Sequence, residues 1–89
     1  MSESSPGREV FVNLFSCPSE HSARVLANAI MVAGLRPELR PPRLPDEPWR
    51  VSAPAELEAS PAHLSELRET MTDAAARAGA SYEGCEPAS

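Results

Sequence analysis

The sequence has little of the apolar material that usually builds a protein core. Its 89 residues include 16 Leu, Ile, Val and Phe residues together, with one Trp and one Tyr. This share is below the ~20% at which a chain with a high net charge tends towards disorder. The length allows one small domain at most. The first question is therefore whether so few apolar residues can specify a fold.

Other absences exclude whole classes of protein. No apolar run approaches the ~20 residues of a membrane-spanning helix, and the polar start has no apolar signal segment. We therefore expect a cytoplasmic protein with no membrane partner. Two cysteines are too few for a disulfide scaffold. Lysine is absent, and the net charge of −5 disfavours direct binding to nucleic acid phosphates.

The residues that are present alternate between strand-like and helical patterns. Strand patterns lie over residues 9–15, 35–43, 49–53 and 80–85. Because proline cannot donate to a central ladder, the proline-rich second strand is predicted at a sheet edge, and residues 54–59 are predicted to be a connector. Helical stripes cover residues 18–33 and 60–78. Pro18 and Pro61 lie where a first helical turn accepts proline, and Gly34 and Gly79 are typical of helix ends.

The resulting β-α-β-β-α-β order predicts a ferredoxin-like α+β sandwich. Four antiparallel strands would form one sheet, and both helices would cover one of its faces. Alanines on the helix stripes would let the helices pack closely without many large side chains. We expect this single domain to span residues 9–86, after a disordered start at residues 1–8 and before a tail at residues 87–89.

The first strand carries two different faces. Val10, Val12 and Leu14 form a uniformly aliphatic face that we expect to meet the core. Phe11, Asn13 and Phe15 would then lie on the open face of the sheet. An uncovered pair of phenylalanines favours association with a partner, so these three residues are predicted to bind a protein partner or a second copy of the chain. RNA stacking on them is the weaker alternative, since the third strand lacks a basic, aromatic run.

The second helix has an acidic face. Glu66, Glu69 and Asp73 outnumber the basic side chains beside them. The plain interpretation is a solvated helix face, and the functional one is a docking surface for a basic segment of a partner. Acidic surfaces attract such segments and make their association depend on salt.

Catalytic and metal-binding signatures are absent from the sequence. Cys17 and His21 at the start of the first helix could act as a thiol and base or bind a soft metal, but a half-buried thiol beside a solvated histidine is the simpler interpretation. The sheet geometry would keep Cys85 too far from Cys17 for a disulfide, so both thiols are predicted to be free. We expect no catalytic residue, no metal site and no cofactor.

An ordered set of features resembles the family of ribonuclease E inhibitors known as regulators of ribonuclease E activity B. An apolar strand is followed by an alanine-rich helix that ends at Ala33-Gly34-Leu35, and an Arg- and Pro-rich extended piece comes next. A strand led by Trp49 then precedes a Ser60-Pro61 helix, and Tyr82-Glu83-Gly84 closes the domain. The family usually continues with an aromatic residue where this chain has Cys85, and its acidic N-terminal extension is missing or reduced to residues 1–7.

This resemblance implies a ferredoxin-like protein without catalysis of its own. It would modulate RNA decay by docking on a ribonuclease or on the basic scaffold of that enzyme. A different class of function is the alternative, namely a small dimeric α+β barrel enzyme or ligand-binding domain. That class predicts a closed, polar-lined pocket of about 300 Å³ or more.

Overall fold

A computed structural model describes residues 8–88 and confirms the predicted fold. In chain order the elements are β1 (Arg8–Cys17), α1 (Glu20–Val32), β2 (Glu38–Arg40), β3 (Trp49–Glu58), α2 (Pro61–Ala78) and β4 (Ser81–Pro87). The strands form one antiparallel sheet in the order β2-β3-β1-β4. The predicted disorder at the start of the chain falls mostly on residues 1–7, outside the described residues, whereas Arg8 already belongs to β1.

Serine and glycine residues define the ends of the helices. The Ser60 hydroxyl accepts from the His63 N–H at 3.2 Å, and Pro61 is the first residue of α2, as predicted. Gly79 ends α2 with φ of 70°, a conformation that favours glycine. The predicted start of the first helix at Pro18 was wrong by two positions, because α1 begins at Glu20. Ser19 caps α1, and Pro18 precedes that cap because the serine satisfies the Ser22 N–H.

The third strand is longer than the sequence predicted. β3 continues through residues 54–58, which were predicted to be a connector, and pairs with β1 along its whole length. Pro54 is tolerated because β2 accompanies β3 only from Arg50 to Ser52, which leaves β3 without a neighbour on that side further along. The predicted position of β2 at a sheet edge is confirmed.

The core lies between the two helices and one face of the sheet. Its largest fully buried side chains are Phe15, Leu26, Ile30, Met71 and Val51. Small alanines fill the space between them, and Ala23 and Ala53 are fully buried. A core with few large side chains therefore closes because small side chains let α1 and α2 pack closely on the sheet.

The predicted orientation of β1 was wrong. Phe11, Asn13 and Phe15 face the helices and are buried, at 8%, 0% and 1% exposure, while Val10 is 40% exposed on the opposite face. Phenylalanine removes more apolar surface from water than valine does, so turning both rings inward gives the larger hydrophobic gain. The three residues predicted to contact a partner through an open sheet face therefore belong to the core side.

Candidate functional site

The open face of the sheet carries aliphatic rather than aromatic side chains. Val10, Val12 and Leu14 of β1 lie there, beside Pro54 of β3. Arg40 and Arg50 border this stripe together with Glu83, whose carboxylate lies 3.8 Å from the Arg50 guanidinium. A shallow groove of about 290 Å³ runs between these groups, and it opens to solvent.

A polar cluster lies on the opposite side of β1, inside the fold. The Asn13 side-chain amide donates to the Ala53 carbonyl at 2.9 Å, and its oxygen accepts from the Tyr82 hydroxyl at 2.9 Å. The pKa of Tyr82 is raised to about 12, chiefly by burial and in part by the nearby Cys85, while Arg68 partly opposes the rise. The hydroxyl is thus held as a neutral donor, a structural role for Asn13 that its pattern in the sequence did not indicate.

The remaining signature residues of the resemblance shape the sheet. The register of β4 shifts between Tyr82, which pairs with Phe15, and Gly84, which pairs with Leu14. Glu83 is the extra residue of this bulge, and Gly84 has φ of 117°, where a side chain would be strained. Trp49 is half-buried at the start of β3 and packs against the core.

The acidic side chains predicted on α2 are exposed, and they differ in their pairing. The Asp73 carboxylate forms an ion pair with the Arg77 guanidinium at 3.0 Å, so its charge is partly neutralised. Glu66 and Glu69 have no ion pair with any of residues 8–88. The acidic surface of α2 is therefore strongest at Glu66 and Glu69, in the first two-thirds of the helix.

Glu66 also borders an apolar groove that no pattern in the sequence predicted. This groove, which we call the edge groove, has a volume of about 310 Å³ and lies between α2, the end of β3 and the segment after α1. Leu35, Leu57 and Leu67 supply its larger apolar side chains, and Glu56 and His63 lie at its rim. No single segment encodes it, because residues from three distant parts of the chain form its walls.

The two cysteines are free, as predicted. Cys17 is buried, and burial raises the pKa of its thiol, with a smaller opposing effect from a hydrogen bond with Ser22. His21 is exposed to solvent. A raised pKa is the opposite of what a reactive thiolate needs, so the geometry does not favour a thiol and base pair at Cys17 and His21.

Three further findings apply to residues 8–88. Neither helix combines the length and the apolar character needed to cross a membrane. No group of three or more His, Cys, Asp or Glu side chains is arranged to hold a metal ion. The grooves on the sheet face and at the end of β3 are open to solvent, unlike the closed pocket that an α+β barrel enzyme predicts.

These features define a ferredoxin-like α+β domain with an open sheet face and an acidic surface on α2. An apolar groove lies between α2 and the end of β3. A comparison with protein-family models found no match, and comparisons with curated proteins and with solved structures found none either. The resemblance to the ribonuclease E inhibitors therefore depends on the ordered residues quoted from the sequence.

Proposed function

We propose that this chain is a non-catalytic, cytoplasmic regulator that binds a protein partner through the acidic surface of α2. Its resemblance to the ribonuclease E inhibitors points to a ribonuclease, or a basic segment of its scaffold, as that partner. Binding would modulate RNA decay by limiting the access of the enzyme to RNA.

The unpaired carboxylates of Glu66 and Glu69 carry this proposal. Both are exposed on one helix, and no arginine of the described chain neutralises either of them. Charges that a chain leaves unpaired on one surface attract a partner of opposite charge and orient it during association. The edge groove beside Glu66 adds apolar surface that such a partner can cover.

A second copy of the chain is the alternative partner, but the residues that would contact it differ from those predicted from the sequence. Association through the open sheet face would use Val12 and Leu14, since Phe11 and Phe15 face the core. The apolar stripe is narrow and bordered by charged side chains, so we favour the acidic surface as the main binding site.

Titration calorimetry with the purified ribonuclease and with an arginine-rich segment of its scaffold tests this proposal. We expect saturable binding and slower cleavage of a reporter RNA by the enzyme. The double variant Glu66→Gln/Glu69→Gln should weaken binding by at least about tenfold, because two unpaired charges lose their attraction to the basic partner.

The matched control is Glu38→Gln/Asp46→Asn, which removes the same charge from exposed positions off α2. It should change the dissociation constant by less than about twofold at 0.15 M salt, where screening limits distant charges. If both double variants weaken binding equally, the effect comes from the net charge of the protein and not from Glu66 and Glu69 in particular. No complex, together with an unchanged rate of RNA cleavage at saturating protein, would overturn the proposal.

A further inference from the structure

The second half of β3 presents an unpaired backbone edge. β2 ends its pairing where Glu38 faces Ser52, so no described strand accompanies residues 53–58 on that side. The opposite side of the same residues is fully paired with β1. A sheet with one strand that extends beyond its neighbour leaves hydrogen-bonding groups exposed to an incoming strand.

The register shows which backbone groups point to this edge. The Ala88 N–H donates to the Val10 carbonyl at 2.9 Å, so the backbone groups of Val10 point towards β4. In an antiparallel pair the partner residue then points the opposite way, which directs the N–H and carbonyl of Glu56 to the free edge. By the two-residue period, those of Pro54 and Glu58 point the same way.

Two of these backbone groups already accept hydrogen bonds from other parts of the chain. The Arg8 guanidinium donates to the Glu56 carbonyl at 3.2 Å, and the Ser60 N–H donates to the Glu58 carbonyl at 2.8 Å. Pro54 offers only a carbonyl. The groups left for another chain are therefore the Pro54 carbonyl and the N–H groups of Glu56 and Glu58.

The edge groove lies directly beside these groups. Ala55, Glu56 and Leu57 line it from the strand, and Leu67 and Met71 line it from α2. A strand added to β3 would direct alternate side chains into this groove and the others to solvent. Glu56 and Glu66 line the groove together with His63, whose ring lies 3.7 Å from the Glu58 carboxylate. The Arg8 guanidinium lies at the Glu56 carbonyl, so the three carboxylates outnumber the one arginine at this edge.

We propose that the free edge of β3 and the edge groove receive a short extended segment of the partner protein as an added β-strand. The segment would place apolar side chains in the groove and basic side chains beside Glu56, Glu58 and Glu66. This inference rests on the proposed function for its class of partner, and it adds the place and the backbone geometry of recognition. Pairing through the main chain gives affinity, and the alternating side chains give selectivity.

An octapeptide of alternating valine and arginine, with blocked ends, is the probe for this site. We expect NMR titration of the chain to shift the amide signals of Glu56 and Glu58 most and to slow their hydrogen exchange. The same octapeptide with an N-methyl group on every residue has equal charge and similar apolar content but has neither edge free to pair as a strand. It should bind at least about tenfold more weakly if main-chain pairing supplies the affinity.

Two pairs of variants separate the edge from the acidic surface. Glu56→Pro removes the charge and the edge N–H, whereas Glu56→Gln removes only the charge, so the proline variant should bind the peptide at least about threefold more weakly than the glutamine variant. Ala33→Arg places a cation at the groove from an exposed position, and Asn28→Arg adds the same charge at an exposed position of α1 away from the groove. We expect only the first of these two to weaken binding.

The outcomes distinguish this inference from the proposed function. Peptide shifts centred on Glu66 and Glu69, with no effect from methylation or from Ala33→Arg, would overturn strand addition while leaving the acidic surface as a docking site. Concentration-dependent protection of the Glu56 and Glu58 amides without peptide would identify a second copy as the occupant and would also overturn it. If the peptide adds as a strand but the protein does not bind the ribonuclease, the proposed partner is wrong and strand addition at β3 stands.

Discussion

At the scale of single residues, the hydrogen bonds of one buried polar side chain, Asn13, help to hold this small core together. Asn13 is fully buried, yet both ends of its amide have partners, in the Ala53 carbonyl and the Tyr82 hydroxyl. Burying such a group is tolerated only when its hydrogen bonds are complete. The amide therefore ties β1 to β3 and β4 at the centre of the sheet.

Truncating Asn13 should destabilise the fold far more than truncating a residue on the open face. Asn13→Ala leaves the Tyr82 hydroxyl without its acceptor and opens a small cavity, so we expect the free energy of unfolding to fall by about 2–4 kcal/mol. Ser52→Ala on the open face is the control and should cost less than about 0.5 kcal/mol. Urea denaturation measures both, and equal effects would contradict this role of Asn13.

Tyr82 provides a direct optical test, because it is the only tyrosine in the chain. Burial raises its pKa to about 12, so its phenolate absorbance should appear near pH 12 in the folded protein and near the ordinary value of 10 in urea. The raised pKa stabilises the fold fully below pH 10, and this contribution is lost as the pH rises towards 12. A titration midpoint near 10 in the folded chain would refute the buried hydrogen-bonded hydroxyl.

At the scale of elements, Ser60 caps the N-terminus of α2 at the position that the sequence predicted. Ser60→Ala removes the acceptor for the His63 N–H and should lower the free energy of unfolding by about 1 kcal/mol. Ser65, exposed in the second turn of the same helix, is the matched control. Ser65→Ala should be neutral or slightly stabilising, because alanine has the higher helix propensity. Equal losses in thermal denaturation would contradict the assigned cap.

Local signals predicted the elements well, and their failures have physical reasons. Ser60, Pro61 and Gly79 act through their own backbone conformation, so the sequence places α2 correctly. The face of β1 depends on which side the helices cover, and strand periodicity alone leaves that choice open. The length of β3 depends on its pairing with β1 across more than 40 residues of sequence, which overrides the proline that suggested a connector.

The candidate site was predictable only in part for the same reason. Glu66 and Glu69 lie on one helix, so their shared face follows from helical spacing. The edge groove joins Leu35, Leu57 and Leu67 from three separate segments, and no local pattern brings these residues together. The free edge itself follows from the shortness of β2, which a proline-rich pattern could only suggest.

At the scale of the whole molecule, the uneven pairing of the sheet should produce uneven hydrogen exchange. β1 lies between two strands and has the most complete pairing, whereas β2 has three residues and one neighbour. Exchange rates follow the local protection of each amide, so the amides of β1 should exchange slowest and those of β2 among the fastest in the sheet. This ranking is independent of any partner.

The largest difference in hydrogen-exchange rate between neighbouring residues should lie between two adjacent amides of β3. The Ala55 N–H points to β1 and is paired with Phe11, while the Glu56 N–H points to the free edge. We expect Glu56 to exchange at least about tenfold faster than Ala55 in the free protein, after correction for intrinsic rates. NMR-detected exchange measures both residues in one sample, so fraying of the strand end affects both. Equal protection in dilute protein would mean that the edge is not free, and strand addition by a partner would lose its structural basis.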